Sequence, residues 1–483
     1  MSLTDYSIND APMLMDIRSD TLEPISQTSR KFVFRIDQAG YLDQNSVLLF
    51  KIVNSANNNN LRVNSFNGGL GAIKRATFQV GDFVINDVSG ANDVMTLLNF
   101  IGKNEQVRNH FDCWYYGNQL HYKVLDGAST ADCGADNCGT GTIVGDKIKS
   151  GIRIGDVGNG NGAPLVNSCR ITNSADGNIQ MGIPLGTLFP ALKGRTLPLF
   201  LFQDYRILIT VEFHDAPSYI NDISRIAGGA GGNVGLQAIA NAVSYADVKL
   251  QVDYIIMPSE VQNKDREMTL KQGGLNLTFY DSVRVEKQIP AHANGVKQEV
   301  EHRIGADNKE VHKLYMVKKI TSQTGLPLNC WQLDQRIDGI NQEEYNVNIA
   351  GVDVFPEFKF APTSQYDETS NCLGNDIQVP RPLYFNDDNT AFNGLGTQSG
   401  GTLGKYKPLC LDLTNGNAGV IGAGRTIGAY PIIWKYRRKG SRAVANFFPQ
   451  ALNSALEVNY YMLVSKTANI KSSPTGTQVM VSY

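Results

Sequence analysis

The chain has 483 residues, of which 42% are hydrophobic and 19% charged, and its formal net charge is −2. That length exceeds what one core supports and suits roughly two to four domains, while the apolar content excludes disorder throughout. The near-neutral balance lacks the basic excess with which dedicated nucleic-acid binders neutralise phosphates.

The first segment, MSLTDYSINDAPML, has no basic region followed by an apolar run, so no secretory signal is expected. No stretch approaches the ~18 apolar residues that span a bilayer. A soluble protein made in the cytosol is the expectation. Lys31–Ile36 and Ser46–Ile52 read as strands, as does Ala72–Val80, which turns tightly through Gly81-Asp82 into Phe83–Ile85. Glycine at the first turn position suits a type II′ hairpin. Ala91–Ile101 has helical spacing, with Ser89 or Asn92 as its cap. Residues 108–177 are rich in Gly, Asn, Asp and Ser and read as a long excursion. Strands resume at Asn178–Ile183, Leu197–Phe202, Arg206–Phe213 and Tyr245–Ile256, with a second loop over 215–243.

Pro258–Gly274 is polar and charged, the composition of an interdomain connector. The theme then restarts with Thr278–Lys287, Val296–Ile304 and His312–Ile320. A turn-rich region follows from Thr324 to about Gln378. Further strands are expected at Val379–Phe385, Ile427–Arg437 and Leu456–Ser465, with a third long loop over 386–424. Each half thus holds about six to eight strands, long loops and little helix, the pattern of an antiparallel sandwich or jelly roll used twice. The expected division is 1–260, 261–465 and a C-terminal tail, 466–483.

Motifs for chemistry are sparse. There is no GxxxxGK[ST], HExxH or GxSxG. Gly422–Gly428 has glycine spacing, but a loop precedes it and a strand follows, so it reads as a turn. Adjacent Glu343 and Glu344 would point to opposite faces of a strand and cannot cooperate as acid and base. The seven cysteines (113, 133, 138, 169, 330, 372 and 410) are irregularly spaced, which favours free thiols or a loop disulfide over a zinc site. His302 and His312 flank a turn and are placed to face each other across a hairpin. The strongest charge cluster is Lys435, Arg437, Arg438, Lys439 and Arg442, five cations in eight residues. It reads either as a solvated or intersubunit loop paired with a neighbour's acids, or as a contact for nucleic-acid phosphates or anionic lipid.

Four segments together resemble one family. Gly69–Lys74 with Phe78–Gly81 and Val84–Asn86, Leu197–Phe213, Val252–Ile255 with Glu260, and Gly440–Phe447 occur in the order found in the double jelly-roll major capsid proteins of tailless double-stranded DNA viruses. Asp82 stands in place of a second turn glycine, Lys439 in place of a proline, and Val311–Tyr315 matches a second-domain strand without its tryptophan. These departures favour the virophage or polinton-like branch over the large nucleocytoplasmic viruses. The resemblance implies an all-β chain of two tandem antiparallel eight-stranded jelly rolls. It also implies homotrimeric pseudo-hexagonal capsomers that tile an icosahedral virion, with 108–177, 215–243 and 386–424 as outward loops. The implied partners are further copies, penton and minor capsid proteins, and an internal membrane or the genome. No cofactor, metal, small-molecule substrate or catalytic residue is implied. The alternative reading is a carbohydrate-binding or carbohydrate-active sandwich with Trp114-Tyr115-Tyr116 as its sugar platform.

Overall fold

The computed structural model describes residues 16–38, 40–54, 61–63, 68–95, 180–202, 205–215, 220–222, 243–293, 296–306, 308–320, 343–359, 368, 372, 409–414, 425–427, 431–439, 455–473 and 476–482. The first half contains β1 (Asp16–Leu22), β2 (Ser26–Gln27), β3 (Lys31–Ile36), β4 (Tyr41–Leu42), β5 (Val47–Asn54), β6 (Leu61–Val63), β7 (Ile73–Val80) and β8 (Phe83–Ser89). Helix α1 (Ala91–Met95) follows, then β9 (Met181–Pro184), α2 (Leu185–Leu188), β10 (Leu197–Pro198), β11 (Ile207–Phe213), β12 (Ile220–Asp222) and β13 (Val243–Ile256). After α3 (Ser259–Lys271), the second half contains β14 (Leu275–Ile289), β15 (Lys297–Ile304), β16 (Glu310–Ile320), β17 (Glu343–Ile349) and β18 (Val352–Asp353). It ends with β19 (Leu409–Asp412), β20 (Arg425–Thr426), β21 (Ile432–Lys439), β22 (Leu456–Ser473) and β23 (Gly476–Ser482).

Period-two patterning explains the strands. In β3, Phe32, Phe34 and Ile36 point inward between exposed or half-buried neighbours, and β11 buries Ile207, Ile209, Val211 and Phe213 between half-buried ones. The sheets are antiparallel and their order is the informative part. In the first half, β1-β13-β5-β9 faces β3-β11-β7-β8, with the short β4, β10 and β2 added at the margins. In the second, β14-β22-β16-β19 faces β15-β21-β17-β18, with β20 on β16 and β23 on β22. Count only the strands named in those four rows, in chain order within each half. Both halves then read 1-8-3-6 and 2-7-4-5, which is the jelly-roll order. The same topology is therefore used twice.

Several sequence expectations need correction. Leu197–Phe202 is a strand only to Pro198; Leu199–Phe202 coil into a buried 3₁₀ turn. The polar connector is a helix. Its sequence SEVQNKDREMTLK holds no Gly or Pro, Glu260 and Lys271 suit the two ends of the dipole, and Gly273 and Gly274, at φ +84° and +115°, stop it. The turn-rich stretch hides β17 and β18, where Tyr345, Val347 and Ile349 alternate inward. The loop 386–424 contains β19. The segment marked as a tail continues β22 to Ser473 and folds back as β23, because Ala468, Ile470 and Val479 keep the inward alternation. The predicted strand Val379–Phe385, most of the three long loops and Trp114–Tyr116 lie outside the described residues.

The hairpin turn at Gly81-Asp82 forms as expected, with positive φ at Gly81 only. A β-carbon there would strike the Tyr205 ring. Gly81→Ala is therefore expected to lower stability by about 1–3 kcal/mol, read as a fall in the midpoint of thermal unfolding.

Candidate functional site

Four of the five cations, Lys435, Arg437, Arg438 and Lys439, lie on β21, an inner strand between β15 and β17, so this part of the run is not a loop. Strand alternation splits it. Lys435 pairs with Asp353 at 2.9 Å, and Arg437 grips Glu299 at 2.8 and 3.2 Å while stacking 3.6 Å over the Phe358 ring. Arg438 points inward with Trp434 and Tyr436. It is 1% exposed and donates to Gln298 Oε1 at 2.8 Å and to the Pro290 carbonyl at 2.7 Å. Lys439 ends the strand, and Arg442 lies outside the described residues. The acids that meet Lys435 and Arg437 belong to this same chain.

His302 and His312 do not face each other, because β15 and β16 enter opposite sheets of the sandwich. His302 Nδ1 lies 2.8 Å from the Tyr460 hydroxyl, and His312 Nε2 lies 2.7 Å from Ser465 Oγ. The second pair has nucleophile–base spacing. However, Glu310 sits 3.6 Å from that same Nε2, and His312 Nδ1 is buried without a hydrogen bond. Nothing orients the ring as a general base requires. Burial pushes both imidazoles below their ordinary range. The Lys287 charge adds to this at His302, and Glu310 and Asp412 partly oppose it at His312. The unfolded chain takes up these protons near pH ~6.5 and the native chain does not. Their contribution to stability is thus present above that pH and lost as pH falls through the depressed folded values. Melting temperature is expected to drop from about pH 7.5 to about pH 5, and a His302→Gln, His312→Gln double variant is expected to flatten that slope.

Cys372 and Cys410 are buried free thiols; the other five cysteines lie outside the described residues. Among the described residues no group of three or more His, Cys, Asp or Glu side chains is arranged to hold a metal ion. None of their helices is long and apolar enough to cross a membrane.

The densest polar construction is the seam between the sandwiches. Strands β14 and β22 are the longest pair among the described residues, and one of their faces crosses from one core to the other. Tyr460, Met462 and Val464 line the second core, whereas Leu277, Phe279, Ala468, Ile470 and Val479 complete the first. Between these apolar blocks sit Asp281 and Lys466, 2.8 Å apart, with side chains 5% and 3% exposed. Asn86 of β8 donates to Asp281 Oδ1 at 3.3 Å, and the Ser282 N–H donates to it at 3.0 Å. Asn86 Oδ1 in turn accepts the Ala191 N–H at 3.0 Å. Burial raises the Asp281 carboxyl above its usual range, against the pull of Lys466, the Ser282 N–H and Asn86.

The opposite face of β14 is held as well. Tyr461 donates to Asp93 at 2.7 Å, and Gly90 leaves no room for a β-carbon against the Tyr461 hydroxyl and the Arg284 stem. Segment 86–93 of the first sandwich thus straddles β14, an edge strand of the second. An open edge would otherwise invite pairing with other chains. Sequence reasoning missed Asn86, Asp93, Asp281, Tyr461 and Lys466. A signal for two of them was present: opposite charges interrupt the inward apolar stripes of β14 and β22 one pleat apart.

Two jelly rolls of identical strand order in one chain define the double jelly-roll fold, the fold of several viral capsid proteins. No protein-family model and no curated protein matches the sequence. Solved structures do match. The chain is similar to a protein of the Sputnik virophage particle at TM-score 0.59 and 11% identity, covering 97% of this chain and 88% of that one. It is also similar to a chain of the PBCV-1 virus capsid at TM-score 0.54 and 10% identity, covering 99% of each chain. A third similar structure is the mavirus major capsid protein, at TM-score 0.51 and 11% identity, covering 100% of this chain and 93% of that one.

Proposed function

We propose that the chain is a major capsid protein whose homotrimers form pseudo-hexagonal capsomers that tile an icosahedral shell. The supporting observation is the repeated sandwich together with its seam. Two like units held through one continuous sheet and a buried ion pair behave as a single rigid tile, and three such tiles present six similar walls. The proposed division between the units lies near residue 260, at the start of α3. Neighbouring capsomers, penton and minor capsid proteins are the proposed partners, and the virion the proposed location.

Contacts of an obligate kind commonly bury more than about 2,000 Å², so a thermally robust trimer is expected. Sedimentation velocity at working concentration tests this, with negative-stain images expected to show hexagonal outlines. A stable monomer would sink the reading.

A further inference from the structure

The buried seam holds an amine, a carboxylate and a carboxamide on three different strands. Lys466 stands on β22, Asp281 on β14 and Asn86 on β8. The Asp281 carboxylate touches the other two at once. Its Oδ2 accepts from Lys466 Nζ at 2.8 Å, and its Oδ1 accepts from Asn86 Nδ2 at 3.3 Å. Amine and carboxamide are thus gathered on one small group, and all three side chains are buried. The other polar atom of Asn86 is held too, because its Oδ1 accepts the Ala191 N–H at 3.0 Å.

These are the parts that acyl transfer to an amine requires. Lys466 Nζ is the nucleophile and Asn86 Cγ the electrophile. Asp281 is placed to take a proton from the amine on one oxygen and to serve the leaving nitrogen from the other. The Ala191 N–H faces the oxygen on which negative charge develops. The Phe279 ring, centred 5.9 Å from Nζ, and the apolar blocks on either side keep water from competing with the amine. Burial raises the Asp281 carboxyl, which favours moving the ammonium proton onto it. Fixing the groups on rigid strands removes most of the entropic barrier to their encounter.

We propose that, after folding, Lys466 and Asn86 become joined by an isopeptide bond that cross-links the second sandwich to the first. Lys466 passes one ammonium proton to Asp281 Oδ2. The neutral amine attacks Asn86 Cγ, and the Nζ–Cγ bond forms as the carbonyl electron pair moves onto Oδ1. Asp281 gives its proton to Nδ2 and takes the second proton from Nζ. The carbonyl re-forms, the Cγ–Nδ2 bond breaks and ammonia leaves. The products are a secondary amide, a neutral Asp281 carboxyl and one ammonia, so atoms and charge balance with no further reactant. A neutral carboxyl also suits the apolar surround better than a carboxylate that has lost its cation. The ion pair is the state that folding delivers first, and the bond accumulates afterwards. The reaction needs no second copy of the chain, so it stands apart from the trimer reading.

The test is mass spectrometry of the full chain, sampled from freshly folded protein and through incubation at neutral pH. The incubated chain is expected to be lighter by one ammonia and to run as a more compact band in denaturing gels. Tryptic digestion is expected to yield a branched peptide that joins 76–103 to 443–471 through Asn86 and Lys466. Succinimide formation at other asparagines also sheds ammonia, so the branched peptide decides. Lys466→Arg keeps the charge but offers no nucleophilic amine, and is expected to give no branched peptide. Asp281→Asn is expected to slow formation of the Asn86–Lys466 bond roughly a hundredfold or more, the contribution of a positioned acid–base group. A folded wild-type chain that keeps its full mass, or that loses ammonia without the branched peptide, would overturn the proposal whatever the variants do. Loss of water with a bond from Lys466 to Asp281 would overturn it as well. An Asp281→Asn chain that reacts at the wild-type rate would overturn the role given to Asp281.

Discussion

Lys466→Met is expected to destabilise the protein by about 3–5 kcal/mol, the cost of leaving a buried charge without its partner. Lys466 is the main attraction holding the Asp281 carboxylate ionised against burial, and its ammonium sits 2.8 Å from Asp281 with almost no solvent access. With methionine there, Asp281 must either stay charged in an apolar surround or take up a proton, and in the second case Asn86 loses its charged acceptor. Removing both charges is a different experiment. Asp281→Leu with Lys466→Met extends the apolar stripe from Val464 to Ala468, so the double variant is expected to recover most of the loss. Calorimetry checks both statements. A Lys466→Met protein melting as wild type does would mean that the seam is open to water.

The sequence made the architecture legible but not the seam. Alternation in KFVFRI and RILITVEF marks strands because one face of each is buried and the other is not, and that is a local property. The short strands β17, β18 and β19 escaped because Gly- and Asn-rich surroundings mask a few alternating residues. Helix α3 escaped because its polar face carries no apolar stripe to announce it. Pairing is non-local, so nothing in the sequence alone says that Asn86 lies beside Asp281, or that Asp93 meets Tyr461, 368 positions further along the chain. The charged run at 435–442 stood out by composition, yet alternation on β21 turned Lys435 and Arg437 to one face and Arg438 to the other. The quieter signal, one acid in the apolar stripe of β14 and one base in that of β22, marked the functional joint.

Trp434→Ala is expected to cost about 3–5 kcal/mol, the usual range for deleting a buried tryptophan side chain. Trp434 is fully buried, stacked on Tyr345 with ring centroids 5.2 Å apart and planes at 4°, and 5.6 Å from Tyr460. Its ring neighbours come from β17 and β22, one strand of each sheet, so no single movement refills the space. Trp434→Phe keeps one face of the stack and is expected to cost less than half as much. The shape of the transition carries more than its midpoint. The second sandwich supplies Leu277, Phe279, Ala468, Ile470 and Val479 to the first core. If it unfolds, the first core loses those residues and its cover over β8. The Trp434→Ala protein is therefore expected to melt in one cooperative step shifted downward, by both near-ultraviolet circular dichroism and calorimetry. Two separate transitions, with the first half surviving above the second, would show that the strands crossing the seam do not couple the two cores.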